Sequence, residues 1–297
     1  MTIAARCALS ISMLFSSVLP AGQHLEQSWH WENAETEVMA TLWQAADSPP
    51  ASLIALCPGR GVAASSYSKL VGALVLRGFA VIAVDIPRIG RVTFPNGRSI
   101  PPSDDFRPSF ELITGPYEAV DEFFEPAVRQ GLVAWSLALE KLRETTGMTG
   151  PGMTMGAFGH SLGGRICGAL VGQDSRFLAY ASMEGVPPRN TRRSGMEAAS
   201  LQMYSSELPE EMALPNIREL FDNAKGPSFL LRLEGFGHNS MTYGPLENPE
   251  RYAYEIDPMT AMNTLERLLG DFFSKYLGNG EFTPSGFPTV TVKGVRY

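Results

Sequence analysis

The chain has 297 residues, of which 44% are hydrophobic and 19% charged, and these fractions are typical of globular rather than disordered proteins. Its length favours one large domain over two, because a single core of this size can still be buried. The net charge of −7 argues against nucleic acid as the main partner, since there is no excess of basic side chains to neutralise phosphates. The one basic cluster, Arg189, Arg192 and Arg193, is predicted to be a solvated loop.

The N-terminal segment 1–22 differs in character from the rest of the chain. Arg6 precedes an uncharged, largely apolar stretch at 7–20, which is too short to span a bilayer but suits the apolar region of a secretory signal. Ala21 could occupy the last position before cleavage, whereas Leu19 is larger than signal peptidases prefer. The segment 1–22 is therefore predicted to be a signal peptide of a secreted or periplasmic protein, with a cytoplasmic location as the alternative. No other stretch is long enough to cross a membrane.

Strand-like and helix-like segments alternate along the rest of the chain. The residues 52–57 and 79–85 are continuous apolar runs, as in strands that are covered on both faces. From Pro126 onward, apolar residues recur at a helical period, and proline suits the first turn of a helix. Strands are predicted at about 25–32, 36–45, 52–57, 79–85, 153–159, 177–183, 199–205 and 227–235, with helices at about 65–77, 126–142, 162–172, 216–224 and 258–276. This alternation predicts an α/β fold with a mostly parallel, doubly wound sheet and flanking helices.

The chain is predicted to form one domain at 23–297 with two insertions. The first, at about 87–116, is polar and rich in proline, and no regular element can be assigned to it. The second lies at about 185–226. Both could line a pocket, but their Met and Phe residues are of types more often found in cores, so no substrate-binding residue is predicted.

The stretch GAFGHSLGGRI at 156–166 contains the pattern Gly-x-Ser-x-Gly around Ser161. On its own the pattern is weak, because a glycine-rich chain can contain it by chance. Its context is more specific: an apolar strand precedes Ser161 and a helix follows, which is the arrangement of a nucleophile elbow. The flanking glycines let the strand and the helix approach closely, and the helix N-terminus favours a developing negative charge. Ser161 is therefore predicted to be a nucleophile.

A nucleophilic serine in this setting needs a histidine base that comes later in the chain. Of the four histidines, His24 and His30 precede the serine, and His160 is the variable residue of the elbow, which points away from the nucleophile. His238 lies in the stretch LEGFGHNSM, on the loop after the last predicted core strand. His238 is therefore predicted to take the proton from Ser161.

The carboxylate that orients this histidine is expected at a strand end. Glu184 ends the strand predicted at 177–183, and Glu207 follows the next strand. Either position can deliver a carboxylate to the back of the imidazole, and Glu can replace Asp if the backbone allows for its longer arm. Glu184 is the favoured acid, with Glu207 as the first alternative and another residue such as Asp222 as the second.

Cysteine usage does not identify the compartment. Without Cys7, which lies in the predicted signal, Cys57 and Cys167 remain. Cys57 ends a predicted core strand and Cys167 lies on the helix after Ser161, so both are predicted to be buried free thiols rather than a disulfide. There is no Cys-x-x-Cys or His-x-x-x-His spacing, and neither a metal site nor a cofactor is predicted.

Several motifs over about residues 50–280 occur together in known proteins. They are CPGRGVAASSYSKLVGALVLRGFAVIAVD, FEPAVRQGLVAWSLALEKL, GAFGHSLGGR, EGVPP, YSSE and EGFGH. Together they resemble the α/β-hydrolase superfamily and, within it, the platelet-activating-factor acetylhydrolase-like and dienelactone-hydrolase-like esterases. GHSLGG occurs in many lipases and esterases and indicates the superfamily only, whereas the early acid followed by YSSE points to the narrower branch.

The resemblance also implies roles for individual residues. In this branch the acid follows the strand after the elbow, which supports Glu184, whereas in the related cutinase-like enzymes it follows a later strand, near Glu207. The resemblance implies that the backbone N–H groups of Arg60 and Leu162 form an oxyanion hole. The chain departs from the family in having Pro58-Gly59-Arg60 where His-Gly is common, and Glu where Asp is common.

Taken together, the residues and the resemblance predict a serine hydrolase that cleaves carboxylic esters through an acyl-enzyme. A short-chain or acetyl ester, small or lipid-like, is the expected substrate. A serine peptidase and a lactone or polyester hydrolase would use the same residues and remain alternatives. A non-catalytic binding protein is a further alternative, disfavoured because binding alone does not require an elbow. The oligomeric state stays open.

Overall fold

The computed structural model describes residues 24–114, 117–150, 152–207, 209–252 and 254–297. Its strands are β1 (His24–Glu32), β2 (Glu37–Ala45), β3 (Ser52–Cys57), β4 (Ala80–Asp85), β5 (Val92–Thr93), β6 (Ser99–Ile100), β7 (Thr154–His160), β8 (Phe177–Met183), β9 (Ala199–Ser205), β10 (Ser228–Leu233) and β11 (Val290–Arg296). Its helices are α1 (Ser68–Val75), α2 (Phe110–Thr114), α3 (Tyr117–Thr146), α4 (Leu162–Val171), α5 (Arg189–Ser194), α6 (Glu210–Asn223), α7 (Gly244–Glu247) and α8 (Pro258–Leu277). The signal peptide predicted at 1–22 lies outside the described residues.

A nine-stranded sheet in the order β1-β2-β4-β3-β7-β8-β9-β10-β11 forms the centre of the molecule. Neighbouring strands are parallel from β4 to β10, whereas β1, β2 and β11 pair antiparallel at the two ends. The predicted mostly parallel sheet is thereby confirmed. The edge strand β11 was not predicted from the sequence. Because parallel strands place their carboxyl ends at one edge, the loops after β3, β7, β8, β9 and β10 meet there.

Helices cover both faces of the sheet. Successive residues of the central strands point to opposite faces and are apolar on both, so each face must be buried. In β3, Leu53 and Ala55 belong to a core that includes Trp135 of α3 and Ile166 of α4. Ile54, on the opposite face, belongs to a second core formed with α1 and α8. The doubly wound arrangement is therefore confirmed, and α4 lies directly against β7 and β8.

Helix α3 begins earlier than the sequence predicted. It starts at Tyr117, and Pro126 lies inside it rather than in its first turn. A proline within a helix removes one backbone hydrogen bond. The first turns are nevertheless held by tertiary contacts, because Asp121 accepts hydrogen bonds from Arg165 and Arg192.

The predicted insertions contain more regular structure than was expected. The short hairpin β5–β6 and helix α2 lie in the first, and α5 lies in the second, where α6 also begins earlier than the helix predicted at 216–224. The basic cluster forms α5 rather than a loop, and the prediction of a solvated cluster is wrong for Arg192. Its side chain is 3% exposed and forms ion pairs with Asp121 and Glu219, so the loss of hydration is offset by two carboxylates.

Cys57 and Cys167 form a disulfide, so the prediction of free thiols is wrong. The side chain of Cys57, the last residue of β3, belongs to the core on the α4 face of the sheet. Helix α4 runs back along that face and brings Cys167 to a Cα–Cα distance of 6.0 Å, which is within the normal range for a disulfide. The two residues are 110 positions apart, and nothing in their spacing signals the contact.

Removing this cross-link is expected to destabilise the fold. For the 110-residue separation, the loop-closure model gives a loss of about 5 kcal/mol in unfolding free energy for the double variant Cys57→Ala/Cys167→Ala. Urea denaturation of the wild type and the double variant measures it, with reduced wild type as a control that should behave like the variant. Thiol titration of the unfolded, unreduced protein should find neither cysteine reactive. Two reactive thiols at these positions would contradict the assignment.

Candidate active site

Ser161 is the single residue between strand β7 and helix α4. Its backbone has φ 54° and ψ −125°, a left-handed conformation that is strained for a residue with a side chain. The N–H of Ser161 donates to the Met183 carbonyl of β8 at 2.9 Å, and its carbonyl accepts from the Arg165 N–H at 3.2 Å. These bonds hold the turn in place. The expected strand, sharp turn and helix are therefore present around Ser161.

The glycines around Ser161 are explained by how closely the chain segments approach. A Cβ on Gly163 would overlap the carbonyl oxygens of Cys57 and Pro58, at the end of β3. A Cβ on Gly159 would meet the backbone of Gly163. Any larger residue at these two positions would push α4 away from β3 and β7. The Gly-x-Ser-x-Gly pattern is thus a packing requirement of this turn.

Glu184 is the first residue after β8 and has a positive φ of 57°. Its backbone N–H donates to the Met203 carbonyl of β9 at 2.8 Å. One carboxylate oxygen, Oε2, lies 2.8 Å from Nδ1 of His238, and the other accepts from the Ser205 hydroxyl at 2.7 Å. The side chain is 4% exposed, so few water molecules compete for these bonds. Glu184, the favoured acid, therefore lies at the back of the imidazole.

The two alternative acids make other contacts. Glu207 follows β9, and its carboxylate accepts the backbone N–H of His238 at 2.6 Å rather than a ring nitrogen. Asp222 lies near the end of α6, with its carboxylate 3.8 Å from Nε of Arg218. Glu207 thus positions the backbone of the histidine, while Glu184 contacts its ring.

His238 begins the short 3₁₀ turn His238–Met241 that follows β10, and its side chain is 39% exposed. Partial burial by itself lowers the pKa of the imidazole. The hydrogen bond and the negative charge of Glu184 outweigh that effect, with a smaller contribution from Glu207, so the pKa of His238 is raised above its usual 6.5. The carboxylate at Nδ1 also leaves Nε2 as the nitrogen that can accept a proton from a substrate or a hydroxyl.

His160, the residue before Ser161, is turned into the protein interior and packs against His238. The ring centroids of His160 and His238 are 4.6 Å apart, and Nε2 of His160 lies 3.0 Å from the His238 carbonyl oxygen. Burial holds the pKa of His160 well below 6.5, so this ring is neutral. No hydrogen bond joins the Ser161 hydroxyl to the His238 ring in the described part of the chain. Such bonds are often long in a free enzyme and tighten when substrate binds.

Arg60 and Leu162, the residues with the predicted oxyanion donors, follow two neighbouring strands. Cys57 of β3 pairs with Gly159 of β7, so the segments after both strands emerge side by side. Leu162 is the first residue of the ten-residue helix α4, whose N-terminus carries a partial positive charge. The Arg60 guanidinium donates to the Ser103 carbonyl at 2.8 Å and thereby anchors the loop after β3 to the first insertion. Neither backbone N–H donates to the backbone of another described residue.

A buried ion-pair cluster behind Ser161 was missed from the sequence. Arg165 of α4, 5% exposed, donates to Asp121 of α3 at 2.5 Å and to the Tyr117 hydroxyl at 3.0 Å. Arg192 of α5 donates to the same carboxylate. Burial alone raises the pKa of Asp121, but the hydrogen bonds from the two arginines hold it below its usual value. The cluster joins α3, α4 and α5. Its residues are far apart in the sequence, and no sequence pattern predicts that they pair.

One group of side chains in the described ranges has its ligand atoms close enough together to hold a metal ion. It consists of His30, Glu32 and Glu37, on β1 and β2 at the far edge of the sheet. Glu37 already forms an ion pair with Arg98, which competes with a cation for the carboxylate. The group does not adjoin Ser161, His238 or Glu184. Within the same ranges, no helix is both long and apolar enough to span a membrane.

Comparison with known proteins identifies the architecture. No protein-family model matches the chain, and no curated protein matches it in sequence. Among solved structures, a ferulic acid esterase from Streptomyces cinnamoneus is 20% identical, with a TM-score of 0.73 over 93% of this chain and 98% of that one.

Two further solved structures have the same architecture. A dienelactone hydrolase from Anabaena variabilis is 12% identical, with a TM-score of 0.57 over 86% of this chain and 99% of that one. A cold-adapted esterase from an Arctic intertidal metagenomic library is 16% identical, with a TM-score of 0.53 over 80% and 99%. At these identities the likeness concerns the fold. The chain therefore has the same α/β-hydrolase fold as these solved structures.

Proposed function

We propose that the protein is a serine hydrolase that cleaves a carboxylic ester through an acyl-enzyme. The observation that carries the proposal is the 2.8 Å contact between Glu184 Oε2 and His238 Nδ1, at the sheet edge where the strained Ser161 turn lies. A carboxylate that orients a histidine at the same sheet edge as a strained serine is the arrangement used for nucleophilic catalysis. Binding alone requires neither the strain nor the buried carboxylate.

The residues act as follows in this proposal. His238 Nε2 accepts the proton of the Ser161 hydroxyl while Oγ bonds to the ester carbonyl carbon. The carbonyl oxygen becomes an oxyanion and accepts hydrogen bonds from the N–H groups of Leu162 and Arg60. When the tetrahedral intermediate collapses, the C–O bond to the alcohol breaks and the leaving alkoxide takes the proton from His238. Water then attacks the acyl-enzyme in the same way, and Glu184 stabilises the imidazolium in both halves.

The proposed substrate is a short-chain or acetyl ester, small or lipid-like. The likeness to a ferulic acid esterase, which extends over 93% of the chain, adds an aromatic acyl ester to the compounds worth testing. Peptide, lactone and polyester bonds would be attacked by the same residues, and the assay below distinguishes them.

We also propose that the protein functions in an oxidising compartment, secreted or periplasmic. The Cys57–Cys167 disulfide supports this location, because cytosolic thiols are usually kept reduced. The apolar stretch at 7–20 is consistent with export. N-terminal sequencing of the protein from the producing cells would test the proposal, since removal of about the first 22 residues is expected.

The Ser161→Ala variant tests the nucleophile. The wild type should hydrolyse at least one of para-nitrophenyl acetate, butyrate, octanoate and methyl ferulate. Ser161→Ala should lower kcat/KM by more than about 10³-fold, because the covalent intermediate cannot form. Ser99→Ala, at an exposed position of β6, is the matched control and should retain full activity. Equal rates for the wild type and Ser161→Ala across the panel, with peptide, lactone and polyester substrates added, would refute the proposal.

A second experiment separates the two carboxylates through the pH dependence of kcat/KM. The base must be neutral, so activity should fall as the pH drops through the raised pKa of His238, above 6.5. Glu184→Gln removes the main cause of that increase, so the midpoint should move to lower pH and kcat should fall by about 10²- to 10⁴-fold. Glu207→Gln keeps an acceptor for the His238 N–H and should cost much less activity. The reverse ranking would make Glu207 the acid.

A further inference from the structure

A buried chain of hydrogen bonds lies directly beneath the site. The Gly59 N–H donates to the Tyr67 hydroxyl oxygen at 3.0 Å, and that oxygen lies 3.0 Å from Nδ1 of His160. Nε2 of His160 lies 3.0 Å from the His238 carbonyl oxygen. Tyr67 is fully buried and His160 is 1% exposed, so water does not substitute for any of these partners.

The donor and the acceptor of each hydrogen bond in this series follow from the chemistry of its end groups. The His238 carbonyl can only accept, so Nε2 of His160 carries a hydrogen. Because the buried ring is neutral, Nδ1 of His160 has a lone pair and accepts the hydrogen of Tyr67. Burial raises the pKa of Tyr67, so its hydroxyl stays protonated and donates a hydrogen bond to His160. The Tyr67 oxygen in turn accepts from the Gly59 N–H, so each group has one defined role.

The two ends of this chain belong to the two loops that the reaction requires. Gly59 immediately precedes Arg60, whose backbone N–H is a proposed oxyanion donor. The other end is the backbone of His238, the proposed base. His160, next to Ser161 in the sequence, occupies the middle. The buried side chains of Tyr67 and His160 therefore link three parts of the site. These are the loop after β3 (58–61, the oxyanion loop), the proposed nucleophile, and the loop after β10 (237–241, the base loop).

The packing at Gly59 shows how closely this link is fitted. A Cβ at that position would lie 2.9 Å from Nδ1 of His160 and 3.4 Å from the Tyr67 oxygen. The loop after β3 thus lies against the two side chains with no room for a methyl group. A shift of His160 or Tyr67 would be transmitted to Gly59 and Arg60, because closely packed atoms move together.

We propose that Tyr67 and His160 are positioning residues that hold the oxyanion loop and the base loop in register across Ser161. The proposal rests on the serine-hydrolase function proposed above. Neither side chain forms a hydrogen bond to the reacting atoms in this role. Tyr67 acts on the backbone of Gly59, and His160 acts on His238 through its carbonyl oxygen and by packing against its ring. Their effect should appear in the transition state, because oxyanion donors and a base are useful only at the correct distances.

The Tyr67→Phe variant tests the link with little change in volume. It leaves the Gly59 N–H and Nδ1 of His160 without partners, and kcat should fall by about 10- to 10²-fold while KM changes little. Tyr204→Phe is the matched control: Tyr204 is equally buried, but its hydroxyl has no hydrogen-bond partner within the described ranges. It should retain the wild-type kcat.

Two substitutions of His160 test whether a new N–H donor restores the hydrogen bond to the His238 carbonyl. Gln can place an amide N–H near the position of Nε2 and donate to the His238 carbonyl, whereas Leu cannot. His160→Gln should therefore retain more kcat than His160→Leu. Equal losses in the two variants, with equal melting temperatures, would contradict the positioning role of the hydrogen bond to His238.

Amide hydrogen exchange gives a readout that does not depend on activity. In Tyr67→Phe, exchange should become faster at 59–61 and 237–241 together, but not in Tyr204→Phe. If both loops loosen while no ester is cleaved by the wild type, the link holds and the proposed function fails. If exchange and kcat in Tyr67→Phe both match Tyr204→Phe, the positioning proposal is overturned.

Discussion

The turn at Ser161 requires three chain segments to touch almost without side chains between them. Gly163, at the start of α4, lies against the carbonyl oxygens of Cys57 and Pro58, and Gly159 lies against Gly163. This contact holds the helix N-terminus beside the loop that follows β3. Ser161, at the carboxyl edge of the sheet, has a positive φ in this turn and is only partly buried. The rest of the site is arranged around this point.

Several interactions remote from the serine hydroxyl keep this contact in place. The Cys57–Cys167 disulfide ties the end of β3 to α4, so it joins the two segments that carry the proposed oxyanion donors. The ion pair of Arg165 with Asp121 attaches the same helix to α3. Strain at one residue can persist when the surroundings hold it from several sides, and here covalent, ionic and packing interactions all do so.

The two carboxylates near His238 are chemically alike, but their positions give them different contacts. Glu184 and Glu207 follow neighbouring parallel strands and both reach the same residue. Glu184 is nearly buried and bonds the ring, so its charge acts on the imidazole with little screening by water. Glu207 is on the exposed turn after β9 and bonds the backbone N–H, which places the loop rather than setting the charge of the ring.

The order of the main strands and helices up to α8, the parallel sheet and the choice of Ser161 and His238 as candidates followed from the sequence alone. Those features are local: apolar runs mark the strands, and glycines and chain order mark the turn and the loop after the last core strand. The disulfide, the start of α3 and the contacts of His160 depended on tertiary structure. So did the choice of Glu184, already the favoured acid, over Glu207 as the partner of His238 Nδ1. Each of these features depends on which segments, distant in sequence, come together in the fold. Strand pairing and helix packing decide that, and no local sequence pattern predicts it.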